Sequence, residues 1–211
     1  MSQEFKFEDE PFQIMTGGIH GCQTITLVSN RAVWMAHYWE RYSNGNPEKD
    51  TPATEGFFVD RVIKHITGVK VTVPAPYRYQ GKDAKNKPYL DPQGGAPTVD
   101  LFNRDDDETK LYISTPIADG QSIEDRNAKL MYASRVEAIK TAFRRRIGTR
   151  PETVILRYDR LNYNNPAEKA LENRSHRGMH LFQYDPNSDG NNMRAWRLFA
   201  EQKYNIQSLG T

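Results

Sequence analysis

Two stretches decide the fold: Gln23–Ser29 (QTITLVS) and Ala32–Trp39 (AVWMAHYW), separated by Asn30-Arg31. Both are rich in β-branched and aromatic residues and are long enough for strands, so they predict a β-hairpin. The register depends on the turn. A loop of Asn30-Arg31 makes partner numbers sum to about 61, placing Cys22 opposite Trp39 with His37 as its diagonal neighbour. A loop of Ser29-Asn30 makes them sum to about 59 and sets Cys22 directly opposite His37. Either two-residue turn brings thiol and imidazole to one face, whereas a three-residue turn sends them to opposite faces.

Upstream, Phe12–Met15 (FQIM) reads as a short strand that enters Thr16-Gly17-Gly18-Ile19-His20-Gly21, a turn whose glycines allow unusual backbone angles or close approach. Downstream, Asn44–Ala53 is a polar loop, and Thr54–Thr67 carries Phe58, Val62 and Ile66 at helical spacing before Gly68. Val69–Val73 and Leu111–Ile117 are strand candidates. The span 79–110 is polar and rich in proline and glycine, a long loop insertion, with Asp105–Glu108 expected to be solvated.

Ser122 is the expected cap of a long helix whose stripe is Tyr132, Val136, Ile139, Phe143 and Ile147, closed by Gly148. Thr153–Tyr158 (TVILRY) reads as a strand and Asn162–Arg177 as a polar connection. His180–Tyr184 and Met193–Ala200 form a second hairpin around the turn Asp185–Gly190. About seven strands and two main helices, not in regular alternation, predict an α+β fold. Its core is a mostly antiparallel β-sheet sandwich flanked by helices and long surface loops. The 211 residues make one domain, residues 1–211.

Composition narrows the function. With 29 basic and 27 acidic residues the net charge is only +2, which argues against a general nucleic-acid binder. No apolar run approaches the length of a membrane span, and Met1–Pro11 is acidic and unlike a signal peptide. The expectation is a soluble chain, cytoplasmic as written, with secretion or delivery into a host left open. A single cysteine, Cys22, excludes an internal disulfide and a multi-cysteine zinc site.

The chemistry concentrates at the first hairpin. A thiol beside an imidazole is the pairing that nucleophilic catalysis requires. Backbone N–H groups of the glycine-rich turn, those of Gly21 and Cys22 in particular, are candidates for an oxyanion hole. The Thr16 hydroxyl is the candidate for orienting His37, and Trp34, Tyr38 and Trp39 are candidates for the lining of a substrate cleft. His20, two residues from Cys22, is the competing base. Other polar motifs read more plainly. His65 lies on an apolar helical stripe as a packing residue, and His176 and His180 are weak as a metal pair because Gly178 interrupts them. Lys140, Arg144, Arg145, Arg146 and Arg150 suit a helix C-terminus, where the macrodipole favours cations.

The string Thr16-Gly17-Gly18-Ile19-His20-Gly21-Cys22, followed by a strand and by Met35-Ala36-His37, resembles the Cys-His(-Thr) protein-glutamine deamidases. These include the bacterial chemoreceptor glutamine deamidases, the catalytic domains of the cytotoxic necrotizing factor toxins, and Burkholderia lethal factor. The similarity covers Thr16–His37, and His20, Gln23 and the 79–110 loop depart from the family pattern. The resemblance implies that Cys22 attacks a glutamine carboxamide, His37 protonates departing ammonia, and water hydrolyses the thioester to glutamate. It implies no metal or organic cofactor, a protein substrate that presents a glutamine, and a toxin or effector role in virulence. Alternatives are a transglutaminase or other Cys-His amidase, and a non-catalytic interaction protein that keeps the fold.

Overall fold

The computed structural model describes residues 1–40, 43, 58–70, 94–162, 164–201 and 203–209. The expected polar loop over 44–53, the start of the helix at 54–57, the later part of the strand at 69–73 and the first half of the 79–110 loop lie outside them. Val69 and Lys70 carry no strand.

Among the described residues, nine strands form two sheets: β1 (Ser2–Lys6), β2 (Phe12–Thr16), β3 (Gln23–Val28), β4 (Ala32–Tyr38), β5 (Lys110–Pro116), β6 (Glu152–Tyr158), β7 (His180–Asp185), β8 (Arg194–Ala200) and β9 (Lys203–Leu209). The first sheet has the order β1-β4-β3-β5-β6, antiparallel except for the β5–β6 pair, and the second is the antiparallel β2-β7-β8-β9. The α+β reading therefore holds. β1 and β9 are additions to the expected strands.

The β3–β4 hairpin is the centre of the first sheet, and its register settles the choice left open by the sequence. Thr24 stands opposite His37 and Val28 opposite Val33, so the loop is Asn30-Arg31. Ser29 shapes that turn, because its Oγ accepts from the backbone N–H groups of Arg31 and Ala32, each at 3.1 Å. Arg31 donates twice to the Asp107 carboxylate at 2.6 Å, and Asp107 is buried. The acidic run Asp105–Glu108 is thus not simply solvated, since one of its carboxylates locks the hairpin turn. Its neighbours at 94–109 are strapped to the fold as well. Gly95 O accepts from Trp34 Nε1 and from Ser2 Oγ, and Phe102 is fully buried.

Side-chain alternation gives the central sheet two different faces. Ile25, Leu27, Trp34, Ala36 and Tyr38 point to a layer of helices: a π-helical turn (Val59–Ile63), α1 (Lys64–Thr67) and α2 (Ala133–Ile147). Val28, Val33, Met35, Tyr112 and Leu156 point the other way, onto Ile14, Phe182, Tyr184, Trp196 and Leu198 of the second sheet. His65 lies in the helical layer, with Tyr38 Oη 2.8 Å from Nδ1 and Ser2 Oγ 3.3 Å from Nε2.

Two helical expectations change. The stripe Val136, Ile139, Phe143 and Ile147 is buried as expected, yet α2 begins at Ala133 rather than after Ser122. The intervening chain turns back instead, with Ala118 N–H donating to Lys129 O, Met131 N–H to Pro116 O, and a bridge between Ile117 and Leu130. Within the stretch expected as a polar connection, α3 (Pro166–Arg174) forms. Asn165 caps it by accepting from Ala167 N–H, and Pro166 takes the first turn, where its missing N–H costs nothing.

Candidate active site

Thr16 and His37 meet at one end of the gap between the sheets, where β2 and β4 end, and Cys22 stands at the start of β3 toward the same end. His37 shares the face of β4 that carries Val33 and Met35. From the opposite sheet, Thr16 Oγ1 lies 2.7 Å from His37 Nδ1. With Nδ1–H donating to the threonine hydroxyl, the lone pair resides on Nε2. That nitrogen is buried and has no hydrogen-bond partner among the described residues.

Cys22 stands one residue before β3 and clusters with Ile19 and Tyr158. Tyr158 alternates with Leu156 and Val154, which pack in the gap between the sheets, so this cluster lies on the His37 side of the central sheet. The thiol donates weakly to Gly18 O at 3.8 Å. Thiol and imidazole are therefore at the same end and on the same side, and they are not hydrogen-bonded to each other. Both groups are 7% exposed or less. Burial pushes the Cys22 thiol up to about 11, and backbone N–H groups of Glu40 and His20 oppose that rise. Burial also lowers His37 to about 4, helped by nearby positive charge at the Met1 amine and His20. The resting pair is neutral.

The glycine turn is held from several sides. Ile19 N–H donates to Gly178 O at 3.1 Å, and Gly18 and Gly178 both adopt positive φ. Tyr158 Oη donates to Cys22 O at 2.6 Å, and Arg160 Nε donates to His20 O at 3.1 Å. Beneath Gly21 sits the buried carboxylate of Glu40, which accepts from Tyr132 Oη at 2.5 Å and from Arg160 at 3.2 Å. A Cβ at position 21 would collide with this carboxylate, so Gly21 is required for close approach.

The cleft expectation is corrected for two of three residues. Trp34 and Tyr38 are buried in the helical layer because they share the opposite parity from His37 along β4. Trp39 alone is exposed, 63%, and it stacks on the His37 ring with centroids 5.9 Å apart. His180 is unavailable as a metal partner for His176, because Thr24 and Thr26 hydroxyls lie 3.0 and 2.9 Å from its two ring nitrogens. Among the described residues no cluster of three histidine, cysteine or acidic side chains could hold a metal, and no helix is long and apolar enough to cross a membrane.

Glu40, Tyr132, Tyr158, Arg160 and His180 are site residues that sequence reasoning missed. Tyr158 and Arg160 reach the turn, Tyr132 reaches Glu40 and His180 reaches β3 across 92 to 156 residues, so no local spacing marks those contacts. No protein-family model, curated protein or solved structure matches this chain.

Proposed function

We propose that this protein is a cysteine-dependent protein-glutamine deamidase, with Cys22 as nucleophile, His37 as base and acid, and Thr16 orienting His37. The observation that carries the reading is the 2.7 Å contact from Thr16 to His37 Nδ1, which leaves a buried Nε2 open to take a proton. The neutral pair suits a reaction in which the proton moves during attack, rather than a resting thiolate–imidazolium pair.

In the reaction the Cys22 thiol turns from Gly18 O and gives its proton to His37 Nε2 as the sulfur bonds to the carboxamide carbon. The developing oxyanion is met by backbone N–H groups of the glycine-rich turn, those of Gly21 and Cys22 being the candidates. His37 then returns the proton to the nitrogen as the C–N bond breaks, releasing ammonia and leaving a thioester. Water attacks the thioester as His37 takes its proton, and the carbon–sulfur bond then breaks as His37 returns that proton to the sulfur, giving glutamate and the free thiol. The site is deep, and a glutamine carboxamide at the end of a flexible chain has the slenderness to reach it past Trp39.

The test uses a glutamine dipeptide with a blocked N-terminus, followed by ammonia release and by a mass increase of about one unit in the product. Wild type releases ammonia; Cys22→Ala and His37→Ala do not. Product carrying an added primary amine instead of the new carboxylate indicates transglutamination. The high thiol pKa also favours a second reading, a non-catalytic interaction protein. That reading gains if Cys22 alkylates no faster than a free thiol across pH and Cys22→Ala keeps the biological effect.

A further inference from the structure

We infer that His180 is a positioning residue that fixes the gap between the sheets and thereby the contact of Thr16 with His37. The role rests on the reading of Cys22 and His37 as a reactive pair. Four residues carry it. Thr16 and His180 face each other as neighbours in the second sheet, and Thr24 and His37 do so in the central sheet. Across the gap the pairing is reciprocal: a threonine of the second sheet meets a histidine of the central one, and a histidine of the second sheet meets a threonine of the central one.

The two cross-gap contacts are side by side, so the spacing that satisfies one constrains the other. His180 makes its side the stiffer. Its ring is fully buried, and a second hydroxyl, that of Thr26, meets Nε2 at 2.9 Å. A neutral imidazole has one N–H and one lone pair, so one threonine accepts from His180 and the other donates to it. Both nitrogens are then satisfied, and the ring can neither flip nor slide without breaking a bond. An apolar residue would fill the same space at less cost in desolvation, but it would leave the sheet spacing to soft packing. Buried polar networks that are fully satisfied fix geometry in just this way. His37, by contrast, is anchored through one nitrogen and depends on its neighbour for the alignment that leaves Nε2 aimed into the site.

The experiment compares wild type, His180→Leu, His180→Asn and His180→Gln in the full chain. One readout is the set of ¹⁵N shifts of the His37 ring, which report its tautomer and its bond to Thr16. The other is the alkylation rate of Cys22 by iodoacetamide as a function of pH. The asparagine amide superimposes on the Nδ1 that meets Thr24, and the glutamine amide on the Nε2 that meets Thr26. Expected are His37 ring shifts and a labelling rate within about twofold of wild type in His180→Asn. In His180→Leu and His180→Gln, altered ring shifts and a rate lower by roughly tenfold to a hundredfold are expected. If His180→Leu does not fold, the Asn–Gln pair carries the comparison. Ring shifts that are unchanged in His180→Leu, or equal in the Asn and Gln variants, overturn the role. Absence of ammonia release from the blocked glutamine dipeptide in wild type would overturn the catalytic reading of Cys22, and the ring shifts would still decide whether His180 positions His37.

Discussion

The two ends of the layer between the sheets share β2 and β7 and obey different rules. At one end Phe7, Phe12, Phe182, Tyr184 and Trp196 stack ring on ring, with Phe7 and Tyr184 at 4.5 Å and Phe182 and Trp196 at 5.5 Å. At the other end Thr16, Thr24, Thr26, His37 and His180 meet through hydroxyls and ring nitrogens. Aromatic stacking tolerates small shifts because dispersion and apolar burial depend weakly on angle. Hydrogen bonds between short side chains do not tolerate them. One end supplies cohesion and the other supplies alignment, so damage at each should be visible in a different measurement.

The largest expected effect lies at the aromatic end. Phe182→Ala removes a fully buried ring and should cost about 3–5 kcal/mol in chemical denaturation, with the Thr16–His37 contact retained in whatever fraction stays folded. Acidification strikes the polar end instead. His37 and His180 are held at about 4 and about 3, below the ordinary imidazole value of 6.5, so folding expels their protons at low pH. Their share of stability, together with that of His65 in the helical layer, also held at about 4, is complete above pH 6.5 and is lost as pH falls through 4 and, for His180, on to about 3, so the His180→Asn comparison isolates the polar end. A thermal midpoint that declines over that window, with a shallower decline in His180→Asn, would bear out the assignment; a flat profile would break it.

Gly21→Ala is expected to cost about 1–3 kcal/mol and to slow Cys22 alkylation, since the new methyl group meets the Glu40 carboxylate. Glu40→Ala should relieve part of that cost, and additive losses in the double variant would exclude the clash. Thr16→Val trades a hydroxyl for a methyl group and should lower stability by only about 1 kcal/mol while cutting Cys22 reactivity far more. Equal losses in both measurements would erase the distinction between cohesion and alignment. Smallest is Trp39→Ala, with a stability change within about 0.5 kcal/mol because the ring is mostly exposed. Its effect should fall on the KM for the glutamine probe.

Much of this division was legible in the sequence, and the unread parts share a cause. The β3–β4 hairpin, the α2 stripe and the β7–β8 hairpin follow from periodicity and turn residues, which act over a few positions. Thr16, Cys22 and His37 could be placed together because one hairpin and one adjoining turn contain them all. α3 was marked by Asn165, Pro166 and Glu168, a capping signal that weighs little against so polar a stretch. β1 was hidden differently: Ser2–Lys6 alternates only loosely and becomes a strand by pairing with the edge of β4. Trp34 and Tyr38 were misassigned to the cleft because aromatic residues beside a reactive histidine look like lining. Their parity along the strand sends them to the other face. Glu40, Arg160 and His180 depend on contacts between distant segments, and a single sequence carries no trace of those.

The reciprocal threonine–histidine contacts also set a timetable for the newly made chain. Thr24 and His180 are separated by 156 residues, and β2 can pair with β7 only after both exist. The hairpin that carries Cys22 is local and can form while most of the polypeptide is still being synthesised, whereas the imidazole gains its alignment only when the last third has folded back. A partial translation product would thus display the thiol without an oriented base. If the proposed chemistry holds, that order of folding delays it until nearly the whole chain has been made.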